Sequence, residues 1–415
     1  MATAMKVVHL SRVYGLNAAG GAAIAATRLH LALLKAGVDS HFVCICQCEP
    51  GPNVHVLPWS GSLARRIFFL LAKFLRGIWH ATSYSKSVYL NALPLPGLGK
   101  LLAKLSPDVI HVHWINTDFA SYEQLAVLKR RLPACRFVVN LHDLFMLNAI
   151  EPHPRGDIRY VEGFTRANAR RLERWLFARK RCLVEQLAPA FIAPSEWGAA
   201  CCRRSVIGRG RPVFVVPNII DTQVFNWAGA PSGTDTFKVL YGAQGGRANA
   251  FKGFADLRQA LARLPDGLKV HLELQIFGED STETQVDGFP VRFFGTVRNP
   301  RQMAAIYRQA DVFAFPSREE TQGMAKMEAL LCGCPVVTFD RTACAEEIMH
   351  GVTGWVAADG DFHAFAQGLL WAYEKKSHRV ENVAWRNEIA RETRRAAEPS
   401  LLIEKILSVY QQGER

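Results

Sequence analysis

Two carboxylates eight residues apart, Glu320 and Glu328, stand in the run Pro316-Ser-Arg-Glu-Glu-Thr-Gln-Gly-Met-Ala-Lys-Met-Glu-Ala-Leu-Leu-Cys-Gly-Cys-Pro-Val-Val337. Such a pair by itself is commonly a loop charge and a solvated helix carboxylate. The surrounding pattern gives it a position. Val312-Phe-Ala-Phe315 is a short apolar run closed by Pro316-Ser317, which reads as a buried strand. Gly323 to Cys332 carries Met324, Met327, Leu330 and Leu331 at helical spacing and stops at Gly333. Cys334 to Phe339 is the next strand. Glu320 therefore falls just beyond the carboxyl end of a parallel strand, where open α/β sheets bind ligands. The amides of Gly323, Met324 and Ala325 open the helix and suit a phosphate or a hydroxylated ligand. Upstream, Gly242-Ala-Gln-Gly-Gly-Arg247 and Phe251-Lys252-Gly253 make a glycine-rich loop with two cations. Its amides, including those of Gly245 and Gly246, can cradle a diphosphate whose charge Arg247 and Lys252 offset. A surface loop with solvated charges is the plainer reading of that stretch alone.

The whole segment resembles the nucleotide-sugar site of the family 4 retaining glycosyltransferases, the group-1 type with a GT-B fold, which carries Glu-x7-Glu in this setting. Glu320 and Glu328 stand in register with it. The resemblance implies that Glu328 binds the ribose hydroxyls and Glu320 the sugar hydroxyls. It also implies that Lys252 and Arg247 stabilise the departing diphosphate, with no metal. Lys252 before Gly253 matches well; the residues between Arg247 and Lys252 depart from the usual run. After Phe339 the family's glycines and proline are missing from Thr342-Ala-Cys-Ala-Glu346, although Glu346 is retained.

The elements that must position these residues repeat one pattern twice. Lys6 to Val13 reads as a first strand, followed by Ala18-Ala19-Gly20-Gly21 and a helix through Ile24, Leu29 and Leu34. Gly20 and Gly21 let backbone amides approach a phosphate, although many strand–helix turns need glycine only for its freedom in φ. The turn resembles the family's first, which approaches the donor diphosphate. There is no G-x-G-x-x-G, which disfavours a dinucleotide-binding dehydrogenase. Strands follow at Ser40 to Cys46, Asp108 to Trp114 and Phe137 to Leu141, the last ending in His142-Asp143. That pair resembles the family's donor-site histidine, with His142 implied beside the donor sugar. His111 and His113 are secondary candidates for the acceptor side. Asn148 and its neighbours depart from the usual acceptor loop. Arg166 to Leu187 reads as one arginine-rich helix, and Pro217-Asn218 to Phe225 resembles a family signature with Ile219 in place of glycine.

The expected fold class is therefore α/β, with two doubly wound Rossmann-like domains facing across a cleft. Residues 1–226 form the acceptor-side domain, 237–385 the donor-binding domain, and 386–415 a helical segment packing back on the first. The length of 415 residues suits two or three domains. The function implied is retaining transfer of a sugar from a nucleotide-diphospho-sugar, UDP- or GDP-linked, to a glycan or lipid-linked acceptor in polysaccharide or exopolysaccharide biosynthesis. No separate cofactor and no metal is expected. Rival readings are a GT-B-like nucleotide-sugar epimerase, a phosphorylase, or a non-catalytic nucleotide-sugar-binding subunit.

Fifty basic against 37 acidic residues give a formal charge of +13, clustered around Leu63 to Trp79 and in Arg166 to Arg181. The first is a basic apolar stretch that is either an ordinary core helix or a face resting on anionic lipid. No nucleic-acid module is present, and the aromatics form no stacking platform. The ten cysteines offer no C-x-x-C pair, so reduced, mostly buried thiols are expected. With no apolar leader after Met1, the protein is expected to be cytoplasmic, with peripheral contact at the inner membrane face as an option.

Overall fold

The computed structural model describes residues 5–18, 20–58, 67, 70, 89–116, 118–154, 156–228, 235–242, 244–377 and 379–412. The chain divides into two units, Met1–Pro217 with Ile403–Arg415, and Asn218–Leu402.

The first unit is built on seven strands: β1 (Lys6–Leu10), β3 (Asp39–Cys44), β5 (Val54–Val56), β6 (Val109–Val112), β7 (Arg136–Asn140), β8 (Ala190–Ala193) and β9 (Val213–Val215). Two short strands, β2 (Val13–Tyr14) and β4 (Cys46–Gln47), pair separately. The sheet order is β5-β3-β1-β6-β7-β8-β9, with every pairing parallel. The chain winds outward from β1 to β5, returns to β6 on the other side of β1, and winds outward again. That reversal puts a topological switch point between β1 and β6. Strands such as β1 and β6 are buried along nearly their whole length, as expected for a sheet covered on both faces.

The second unit repeats the plan with β10 (Phe237–Gly242), β11 (Leu272–Phe277), β12 (Gln285–Val286), β13 (Phe289–Phe293), β14 (Val312–Phe315), β15 (Val336–Phe339) and β16 (Gly354–Ala357). Its order is β12-β13-β11-β10-β14-β15-β16, parallel except for β12 against β13, and its switch point lies between β10 and β14.

Several sequence expectations change. The division falls at Pro217, not at 226: Ile220 and Phe225 are buried with Tyr307 and Phe313 in the second unit, and Arg308 donates to the carbonyls of Val224 and Asn226. The helix Arg379–Ala397 starts before the expected helical segment at 386 and belongs to the second unit, not the first. Its Arg386 is buried, lies over the Trp227 ring at 4.6 Å and donates to the Gly333 carbonyl at 2.8 Å. Only the chain from Ile403 onward, in the helix Pro399–Gln411, is part of the first unit. There Tyr410 is buried against His111, and Arg136 donates to its carbonyl.

The arginine-rich helix is shorter than predicted, Arg171–Leu187, because the Glu173 carboxylate accepts from the Arg170 amide and starts the helix there. Upstream, Asn168 bonds the Gly163 carbonyl and the Thr165 amide, holding a turn. Part of the cationic excess is also internal. Lys180 is fully buried and donates to the carbonyls of Phe145, Asn148 and Ala149. Arg179 pairs with Glu123 and bonds the carbonyls of Leu90 and Asn91. Leu63 to Trp79 lies outside the described residues except for Ile67 and Leu70, both exposed. All ten cysteines are free thiols; Cys46, Cys48 and Cys182 are exposed. Among the described residues no helix is long and apolar enough to cross a membrane.

Candidate functional site

The switch point of the second sheet gathers the residues singled out by spacing. The loop after β10 carries Gly245, Gly246, Arg247 and Lys252, and the loop after β14 carries Glu320 and leads to Gly323. These strands are neighbours, so their loops emerge side by side. Lys252 Nζ donates to Glu320 Oε1 at 2.6 Å across 68 residues of sequence. Both side chains are partly buried, 26% and 14% exposed, which leaves the pair accessible to a ligand.

The loops are locked by backbone contact as well. The Arg318 amide donates to the Phe251 carbonyl at 2.8 Å. Gly253 has φ +71°, and a Cβ there would fall on the Pro316 carbonyl oxygen. A side chain at 253 is therefore excluded twice, by conformation and by space. Gly253→Ala is expected to lower stability by about 1–3 kcal/mol and to displace Lys252 from Glu320. Gly267→Ala, at negative φ with open space around it, is expected to change little. Urea unfolding of both variants checks this; equal midpoints would count against it.

Arg247 is placed differently from Lys252. Its guanidinium bonds Glu279 at 2.6 Å and Glu283 at 2.7 Å, and its own amide donates to Glu279. The hydrogen bonds to Glu279, outweighing desolvation, raise its pKa further, and the same bonds hold Glu279 below the usual carboxylate range. Gly246, at φ +53°, lies against the Glu279 side chain, where a Cβ would collide with it.

Glu320 is fixed through its backbone: its amide donates to Thr342 Oγ1 at 3.0 Å and its carbonyl accepts from Ala343 at 3.3 Å. The helix Met324–Leu331 starts at Gly323, φ +81°, with no side-chain cap. The amides of Met324 and Ala325 thus lack a capping side chain, and the positive end of the helix dipole is open to an anion. Glu328 lies on this helix, partly buried.

Two site residues escaped sequence reasoning. Lys326 is fully buried, and its Nζ bonds the carbonyls of Ala343, Cys344 and Glu346 at 2.6–3.1 Å and pairs with Glu347 at 2.9 Å. It ties the loop after β15 to the helix Met324–Leu331. Asp256 is buried and receives Arg318 at 2.8 Å and Arg341 at 2.7 Å. Burial alone raises its pKa, but the hydrogen bonds from Arg318 and Arg341 outweigh that and keep its carboxyl below its ordinary range. The only sequence signal was a lysine on the apolar side of a helix.

In the first unit, Gly20, φ +118°, caps the helix Gly21–Lys35 without a side-chain bond, so this helix too starts with unshielded amides. His142 ends β7. Its Nε2 lies 3.0 Å from His113 Nδ1, and Asn140 Nδ2 is 3.2 Å from its ring. Desolvation lowers its pKa to about 4, so the ring is neutral at neutral pH. The neighbouring Asp143 is pushed up to about 6 by desolvation, against the amide of Phe145 and the Lys180 charge. Lys180, holding the loop that follows, plays the part here that Lys326 plays in the second unit.

Two doubly wound α/β units, one carrying a cation–carboxylate pair and an uncapped helix start at its switch point, define a GT-B-type architecture. Solved structures share it over nearly the full chain. Sucrose-phosphate synthase from Thermosynechococcus elongatus matches with TM-score 0.63 and 18% identity over 98% of both chains. Anabaena HepE in complex with UDP matches with TM-score 0.60 and 17% identity over 97% of this chain and 99% of that one. The family model "Glycosyltransferase Family 4" matches residues 19–224 and "Glycosyl transferases group 1" residues 242–375. The chain belongs to the group-1, family 4 glycosyltransferases.

Among curated proteins, a D-inositol 3-phosphate glycosyltransferase of Pseudarthrobacter chlorophenolicus is 27% identical over 295 residues, 66% of this chain and 64% of that protein. The capsular polysaccharide glycosyltransferase CapM of Staphylococcus aureus is 27% identical over 107 residues, 24% of this chain and 28% of its own length. The O-antigen chain mannosyltransferase B of Escherichia coli is 24% identical over 263 residues, 59% of this chain and 63% of its own. The chain thus spans less than two-thirds of the length of each of these curated relatives.

Proposed function

We propose that this protein transfers a sugar from a nucleotide-diphospho-sugar to a hydroxyl of a growing or lipid-linked glycan, with retention at the anomeric carbon. The observation that carries this is the Lys252–Glu320 pair at the switch point beside the open start of the Met324–Leu331 helix. On this reading Lys252 and the helix amides meet the diphosphate, and Glu320 binds the sugar hydroxyls. Glu328 binds the ribose. Arg247 joins the diphosphate by exchanging one of its carboxylate partners for phosphate oxygens.

The chemistry asked of these groups is electrostatic. The bond from the anomeric carbon to the β-phosphate oxygen breaks and the acceptor oxygen bonds to the same face. The acceptor's proton passes to the leaving phosphate. A lysine and oriented amides stabilise the departing charge without a divalent metal. The named roles of CapM and the mannosyltransferase favour polysaccharide or surface-glycan assembly as the setting.

A thermal-shift screen of nucleotides, run without divalent cations, tests the reading. HepE was crystallised with UDP and with UDP-glucose, so UDP is tried first, then GDP. A ligand at a hundred times its Kd stabilises by roughly 2.7 kcal/mol. One diphosphate is expected to raise Tm clearly. A shift with NAD or NADP alone would favour a dehydrogenase, and silence from every nucleotide would leave a scaffold role. A shift that appears only with Mg²⁺ would show that a metal, not Lys252, holds the diphosphate.

A further inference from the structure

The switch point of the first sheet holds a group of imidazoles larger than the proposed transfer needs. His9 on β1 and His111 on β6 are register partners, and His113 follows two residues after His111, with its amide bonded to the Leu10 carbonyl. The three therefore project from neighbouring positions of one sheet face. His9 and His111 are fully buried and His113 is 4% exposed. Among the described residues these three form the one group in which single ring nitrogens all lie within 4.8 Å of one another.

The hydrogen bonding around them is incomplete. His111 Nδ1 is 2.6 Å from the Tyr410 hydroxyl, and its Nε2 has no hydrogen-bond partner. His113 Nδ1 is 3.0 Å from His142, and its Nε2 is 2.9 Å from His9 Nδ1. The remaining nitrogen of His9, Nε2, again has no partner. The unpartnered Nε2 of the buried His111 is costly unless something binds it.

We propose that His9, His111 and His113 form a three-histidine site for a borderline divalent transition metal of the Zn²⁺ type. Three neutral imidazoles suit zinc, copper, nickel or iron, whereas Mg²⁺ and Ca²⁺ require oxygen ligands. Zinc holds imidazole nitrogens at about 2.0–2.1 Å, which sets neighbouring ligands roughly 3.3 Å apart in a tetrahedron. The widest pair here must close by roughly 1.5 Å on that geometry. A metal between His113 Nε2 and His9 Nδ1 replaces the proton those nitrogens now share. Its second shell is already in place: Tyr410 on His111 Nδ1 and His142 on His113 Nδ1. All three ligands belong to the first unit and none is assigned to the donor, so the site stands whether or not the donor assignment does.

The full chain is incubated with Zn²⁺, desalted, and its metal content measured. The wild type is expected to retain one zinc per chain, and His111→Ala and His9→Ala to lose it. His55→Ala, in the separate His41–His55 pair on the same sheet, is expected to retain it. Because a core variant can fail to fold, wild-type protein is also loaded with Co²⁺. Intense visible bands of four-coordinate cobalt are expected; only the weak bands of hexa-aquo cobalt would overturn the proposal. Zinc absent from the wild type, or retained equally by a folded His111→Ala, would likewise reduce the cluster to a hydrogen-bond network.

Discussion

Lys252→Ala is expected to lower turnover on the order of 10²–10³-fold, the loss seen when one preorganised group at a developing charge is removed. The lysine sits 2.6 Å from Glu320 and 26% exposed, and on the proposed reading it exchanges that partner for a phosphate oxygen. Removing it takes away the leaving group's cation and most of the nucleotide-dependent Tm shift. Unliganded Tm is expected to change little, because a partly exposed ion pair contributes at most about 1 kcal/mol. Glu320→Ala separates the roles: turnover falls, while affinity for the free nucleoside diphosphate, which lacks the sugar, stays near wild type. Glu328→Ala is expected to weaken free nucleotide by about 1.5–3 kcal/mol, the worth of a hydrogen bond to a charged acceptor. Calorimetric titration of nucleoside diphosphate into all three, beside turnover, settles the assignment. Unchanged binding and turnover in Glu320→Ala and Glu328→Ala would remove it.

Acid is expected to destabilise the first unit steeply below pH 6.5. Desolvation lowers His30 and His142 to about 4, His111 to about 3, and His9 and His113 well below 6.5. In the unfolded chain all five titrate near 6.5, so between pH 6.5 and 4 the unfolded state binds protons that the folded state refuses. Stability is therefore full above pH 6.5 and falls as pH drops through that window. Each such group contributes at most ~1.4 kcal/mol per pH unit. Asp143 acts in the opposite sense. Its folded pKa is raised to about 6 from 3.8, so the folded state takes up a proton first and the cost of burying its charge is relieved as pH falls.

With His55, also lowered by desolvation, six groups against one leave a ceiling of roughly 7 kcal/mol per pH unit, large beside a typical total stability of about 5–15 kcal/mol. The carboxylates held low, Glu123, Asp157, Asp256 and Glu279, add to the loss only below about pH 4.5. Urea midpoints at pH 7.5, 6.5 and 5.5 measure the slope. A midpoint that is flat from 7.5 to 5.5 would mean the imidazoles are hydrated or already charged in the folded state.

What the sequence determined is what short-range pattern can carry. The strand Val312–Phe315 lies where its apolar run predicts. The helix behind Glu320 runs Met324–Leu331, within its predicted bounds, because side chains repeating at 3.6 residues must share one face. Glycine positions, the register of Glu320 with Glu328, and Lys252 before Gly253 were enough to name the family and the doubly wound class.

What only the tertiary structure decided depends on contacts between residues distant in sequence. Lys252 meets Glu320 because β10 and β14 are neighbours, a fact of strand order that no window of residues contains. The same order makes His9 a register partner of His111, gathering His9 with His111 and His113, read only as secondary acceptor-side candidates, into one buried group. Lys180, part of a charge cluster in the sequence, and Lys326 are buried cations, each gathering three loop carbonyls. The helix Arg379–Ala397, expected against the first unit, is instead fixed in the second by Arg386 docking on the Gly333 carbonyl. Charge, spacing and periodicity are local properties; burial and partnership are decided by which strands the chain lays side by side.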